Sequence, residues 1–93
     1  MDSVKMVLEY LRECEVFYMA TEDGTAPRVR PMSGVCAAEG KLCFLLSRSS
    51  HLYHEIMVNR RVEISALHPD KSWISIRGWL KEEVERETRD RML

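Results

Sequence analysis

Two prolines bracket the stretch Pro27-Arg28-Val29-Arg30-Pro31-Met32, and a strand so bracketed has no place in the fully paired interior of a sheet. The stretch therefore reads as a strand with restricted pairing, entered from the turn Glu22-Asp23-Gly24-Thr25. Strand side chains alternate between faces, so Arg28 and Arg30 point the same way. Two cations on one face require an anion or water, and a guanidinium fork matches the oxygens of a phosphate. The plainer reading is that both are solvated on the outer face of a half-buried strand. The segment alone leaves both open.

Ninety-three residues suit one domain spanning 1–93, and so short a chain buries a modest share of its surface, which favours help from a partner copy. Charged residues make up 31% yet the net charge is -1, with basic residues interleaved among acids along the chain. That leaves no electrostatic footprint for nucleic acid. No window approaches the roughly 20 apolar residues of a membrane span, and no charged leader precedes an apolar run, so the expected setting is the cytoplasm, with no membrane partner. Cys14, Cys36 and Cys43 are odd in number and lack C-x-x-C spacing, so they read as free thiols, neither a disulfide framework nor a zinc knuckle.

Asp2-Ser3 suits a helix cap, and Val4, Val7, Leu8 and Leu11 recur at helical spacing over residues 3–13. Residues 15–21 are apolar and β-branched, and residues 26–38 resume the extended pattern after the turn. Glu39-Gly40 then marks a second tight turn, and residues 41–46 complete a three-strand meander. Ser47-Arg48-Ser49-Ser50 opens a short helix over 51–59. Residues 61–67 and 72–80 alternate as strands around the turn His68-Pro69-Asp70-Lys71. In the last strand Trp73, Ser75, Arg77 and Trp79 share one face, and Gly78 suggests a bulge or a close backbone approach. Residues 81–93 read as a charged, solvated helix. The expected fold is mostly β with flanking helices, a small antiparallel barrel or sheet.

Two anion-suited features thus stand near each other: the Arg28/Arg30 face and the serine-rich helix entrance, whose N–H groups suit a phosphate. Serines before a helix also serve as plain caps.

In order along the chain, Phe17-Tyr18-Met19-Ala20-Thr21 with Asp23-Gly24, Pro27 to Met32, Gly40-Lys41-Leu42-Cys43-Phe44, Val62-Glu63-Ile64-Ser65-Ala66 and Trp73-Ile74-Ser75-Ile76-Arg77-Gly78 form a recognisable series. The series resembles the pyridoxamine 5′-phosphate oxidase-like, FMN-binding split β-barrel proteins of the short general-stress-protein type. The resemblance implies a homodimer with two FMN molecules at the subunit interface, each phosphate held by basic and hydroxyl residues. In that picture Arg28 and the backbone of Val29, Arg30 and Pro31 line the cofactor. Leu46, Ser47, Ser49 and Ser50 form the phosphate end, and Trp73 sits near the ring or belongs to the opposite subunit's contribution. It further implies oxidoreductase activity on an unidentified small-molecule substrate, with haem or a deazaflavin as other cofactors of such barrels.

The chain departs from that pattern in two places. Flavin-binding members commonly carry a lysine soon after the strand-end serine or threonine, where this chain has Ser50 followed by His51. Losing one charge-assisted contact costs about 1.5–3 kcal/mol, or about ten- to a hundredfold in affinity. Family members also continue into a further barrel strand, so the chain is expected to stop short of the last strand. Pyridoxamine phosphate oxidation, which relies on C-terminal residues in the full-length enzymes, is not expected. The alternative from another class is a non-enzymatic dimeric module that has lost FMN or binds another planar cofactor such as haem.

Single residues admit competing roles. His51 and His54 sit three apart on the expected helix without a recognisable third metal ligand. His68 is expected to be exposed in its turn. Glu63 is expected to pair with Arg61 or Arg77, and Trp79 to pack.

Overall fold

The computed structural model describes residues 3–22, 24–46 and 49–82. The chain runs α1 (Ser3–Cys14), β1 (Phe17–Glu22), β2 (Pro27–Met32), β3 (Cys36–Ala38), β4 (Lys41–Cys43), α2 (His51–Val58), β5 (Arg61–Leu67) and β6 (Trp73–Trp79). Over the described residues the architecture is mostly β with two helices. Its antiparallel sheets do not close into a barrel. Of the helix expected over residues 81–93, Lys81 and Glu82 are irregular and the remainder lies outside the described residues, as do Ser47 and Arg48.

The helical spacing of Leu8 and Leu11 sets both in the core, with Val7 and Cys14 packed against it. The helix stops where Glu15 takes a left-handed φ of 68°, its N–H bonding the Arg12 carbonyl at 3.2 Å. β1 then enters with Phe17, Met19 and Thr21 buried and the residues between them facing outward.

Four strands form one sheet in the order β2-β1-β5-β6, all antiparallel. β2 lies at an edge, the position its two prolines require. β5 and β6 pair without interruption from Arg61↔Trp79 to Leu67↔Trp73. The bulge suggested at Gly78 is not there: it stands directly opposite Val62 in regular register, with no atom crowding its missing side chain.

The expected meander is corrected. Residues 26–38 do not form one strand, because the path leaves the sheet over Ser33-Gly34-Val35 and restarts as β3. β3 and β4 make a separate two-stranded sheet, and β1 takes β5 as its second neighbour. The reason is burial. Val35, Cys36 and Ala38 are buried, and α1 packs on this hairpin, so the apolar residues after Gly34 close the core from another side. Glu39 and Gly40, with φ of 52° and 75°, form the tight two-residue turn expected between them. β4 ends at Cys43 rather than running to Leu46.

Leu8 and Leu11 of α1, Leu52 and Ile56 of α2, and Phe17, Met19, Ile64 and Ala66 of the sheet form one buried cluster. Phe17 is fully buried, and its ring meets that of Phe44 at 5.7 Å. Both helices therefore cover the inner face of the sheet. On its outer face Tyr18, Val29, Leu67, Trp73 and Trp79 are exposed. No helix among the described residues is long and apolar enough to cross a membrane.

Candidate functional site: a cationic cleft beside the second helix

The cross-strand register decides where the two arginines go. Met19 stands opposite Arg30 and Thr21 opposite Arg28, and directly opposed residues share a face. Met19 and Thr21 are buried, so Arg28 and Arg30 lie on the inner, core-facing side and not on the outer face. They are tolerated there because β2 is the edge strand and α2 brings a carboxylate to meet Arg30.

That carboxylate belongs to Glu55. Arg30 Nη2 donates to Glu55 Oε1 at 3.0 Å and to Oε2 at 3.1 Å. The Thr21 hydroxyl donates to Oε1 at 2.8 Å. Thr21 is the buried polar residue among those described, 4% exposed, and this bond satisfies its hydroxyl. The side chains of Arg30 and Glu55 are 25% and 13% exposed. Arg30 Nη1 is buried with no hydrogen-bond partner among the described residues.

α2 begins at Ser50, whose extended backbone and hydroxyl form an N-cap: Tyr53 N–H donates to Ser50 Oγ at 3.1 Å. The serine-rich entrance thus does serve as a cap. It also brings the start of the helix to the arginines, since Arg28, Arg30, Ser50, His51, Leu52 and Glu55 line one open cleft of about 630 Å³. The first-turn N–H groups and the helix dipole favour an anion there.

Of the other residues singled out in the sequence, Ser49 is exposed beside the cap, Leu46 packs partly against the core, and Ser47 lies outside the described residues. Val29 and Pro31 belong to the outward-facing set of β2, and neither lines the cleft. Trp73 is at the opposite edge of the sheet, on β6, and 71% exposed on the outer face. One chain does not bring it to the arginines. His51 lines the cleft, whereas the His54 ring stands edge-on to Tyr53 at 5.8 Å. No group of three metal-suited side chains is gathered among the described residues.

Glu63 pairs as expected: Arg77 Nε lies 3.1 Å from its Oε1, and the Ser75 hydroxyl donates to Oε2 at 3.0 Å. Beside them Arg61 lies over the Trp79 ring at 6.0 Å. Glu63, Arg77, Arg61 and Trp79 border a hollow on the outer face, with Ala20, Glu22 and Pro27.

His68 departs from expectation. Its side chain is 14% exposed, enclosed by the Tyr10 ring at 4.8 Å and bonded to Glu13 at 2.8 Å. The Glu13 bond raises its pKa above the ordinary 6.5, burial opposes this, and the charges of Asp70 and Glu13 add to it. Asp70 is held below its ordinary 3.8 chiefly by the Ser72 hydroxyl and N–H. Burial, followed by Glu13 and Asp70, pushes the Cys14 thiol above its ordinary 9.0, which makes it a poor nucleophile.

Glu55 is the cleft residue that the sequence did not disclose. Its position three residues after the apolar Leu52 and next to the core residue Ile56 was a faint signal, since a carboxylate flanking a helix's buried stripe needs a partner.

No family model matches the chain, and no curated protein does. Among solved structures, the chain is similar to a NimC/NimA family protein from Clostridium acetobutylicum, with a TM-score of 0.92 and 36% sequence identity over 96% of its own length. It spans 62% of the length of that protein. The shared architecture is split-barrel-like.

Proposed function

We propose that this chain binds FMN as a homodimer, with the phosphate in the cleft beside α2, and serves as a flavin-dependent oxidoreductase on a small-molecule substrate in the cytoplasm. The observation that carries the reading is the convergence of Arg28, Arg30 and the N-terminus of α2 on one cleft, with Arg30 Nη1 lacking a partner among the described residues. The split-barrel-like architecture supports it, as do the motifs shared with FMN-binding barrels.

The residues present suit a phosphate. Among the described residues two guanidiniums and one carboxylate line the cleft, and Ser50 and the first-turn amides add polar contacts. Arg28, Arg30, Ser49 and Ser50 would hold the phosphate, and the backbone of β2 would border the ring. When bound, FMN supplies hydride exchange, and the protein's part is orientation and electrostatics. The exposed outer face, with Trp73 and Trp79 at 71% and 73% exposure, is the surface a second copy would cover. Trp73 would then act from the partner's side.

A second reading is favoured by the Glu55 carboxylate and by His51, both in the same cleft: a dimeric module that has lost FMN or takes another planar cofactor such as haem. Titrating FMN fluorescence with purified protein separates the two. Saturable quenching at micromolar affinity, weakened about tenfold or more by Arg28→Ala, supports the flavin reading. Absence of quenching from a folded protein sinks it.

A further inference from the structure

We infer that Glu55 is an internal competitor in the cleft: its carboxylate occupies the Arg30 guanidinium that an incoming phosphate would engage, and so limits how tightly the cleft holds a doubly charged anion. The inference rests on reading the cleft as a phosphate site.

Both carboxylate oxygens of Glu55 accept from Arg30 Nη2, at 3.0 and 3.1 Å, which is the kind of contact an oxyanion makes with a guanidinium. The carboxylate does not swing freely, because Thr21 anchors it from the buried side at 2.8 Å. It nevertheless satisfies one arm of the fork alone, since Arg30 Nη1 remains buried and without a partner among the described residues. Arg30 is therefore engaged by an anion from its own chain while keeping unspent donor capacity.

Position makes this a matter of specificity. Glu55 lines the same cleft as Arg28, Ser50 and His51. A phosphate entering at the first turn of α2 meets that negative charge at close range in a partly desolvated setting. The repulsion grows with the charge on the ligand. Glutamine is nearly the same shape as glutamate, and its carbonyl still accepts from Thr21 and Arg30 without the charge.

The test is Glu55→Gln, with inorganic phosphate as the probe. Binding is followed by NMR shifts of the His51 and Leu52 amides at constant ionic strength. Phosphate in its doubly charged form is expected to bind on the order of tenfold more tightly to Glu55→Gln than to the natural protein. Singly charged dimethyl phosphate should gain less, a charge dependence that a merely structural role would not produce. If Glu55→Gln does not fold, Thr21→Val leaves the carboxylate charged with one anchor fewer and is expected to gain a few-fold. Phosphate affinity that stays level or falls in the folded variant overturns the role of Glu55, whether or not FMN binds. Phosphate that tightens while FMN binds neither form upholds Glu55 and tells against the flavin reading alone.

Discussion

His68 Nε2 lies 2.8 Å from Oε2 of Glu13, and this contact fastens the last turn of α1 to the turn between β5 and β6. Around it the Tyr10 hydroxyl meets Ser72 Oγ at 2.7 Å, and Asp70 N–H donates to His68 Nδ1 at 3.1 Å. The backbone donor fixes the neutral tautomer, with the proton on Nε2 facing Glu13. On protonation, Nδ1 must donate instead, and Asp70 Oδ1 at 3.1 Å is placed to receive it.

The pH dependence follows from the direction of the shift. His68 is raised in the folded chain, so its stabilising contribution is complete below the unfolded value and disappears as pH climbs through the higher folded value. Asp70 is lowered, so its contribution is present above its unfolded value and disappears only as pH falls through the folded one. The melting temperature of the natural protein should therefore exceed that of His68→Gln by more at about pH 5.5 than at about pH 9. An equal gap at both ends would show that His68 does not sense protons through Glu13.

Arg30 and Glu55 differ as targets for stability. Removing Arg30 as Arg30→Met takes a closely paired guanidinium from a carboxylate that is 13% exposed, and a loss of about 2–3 kcal/mol is expected in urea unfolding. Arg77→Met breaks a pair on the open face, where Arg77 is 82% exposed, and should cost under about 1 kcal/mol. Comparable losses in the two variants would contradict the burial difference.

The exposed tryptophans bear on assembly. Trp79→Ser is expected to leave the fold of one chain intact and to weaken self-association by about ten- to a hundredfold in sedimentation analysis. A monomeric natural protein, or a variant that associates as before, would remove the outer face as the dimer surface.

Cys36 and Cys43 stand directly opposite each other across β3 and β4, and both are free thiols. Opposed residues in an antiparallel pair lie within disulfide range. Treatment with diamide, which takes up the two hydrogens, is expected to join them within one chain, leaving Cys14 as a thiol. Peptide mapping that finds Cys14 joined instead would show the hairpin register to be wrong.

Local pattern reached much of this structure. The alternation from Arg61 to Leu67 has the bounds of β5, Ser50 is the cap of α2, and Pro27 and Pro31 placed β2 at an edge before any neighbour was known. What stayed hidden depends on pairing between distant residues. Nothing local to Ser33-Gly34-Val35 says that the chain leaves one sheet for another, because that choice is made by α1 covering the hairpin. The same holds at the cleft. Arg28, Arg30 and Ser50 were legible as anion-suited residues, but the inner-face placement follows from the β1 register, and Glu55 gains its role only once α2 is laid across the sheet.

The prolines of β2 carry one more consequence. A strand accommodates proline with its nitrogen turned away from the ladder, so the free margin of β2 lacks backbone donors at residues 27 and 31. Another chain trying to lengthen the sheet there would meet gaps at the places where it needs hydrogen bonds. Growth of copies into an open-ended ribbon is thereby disfavoured on that side.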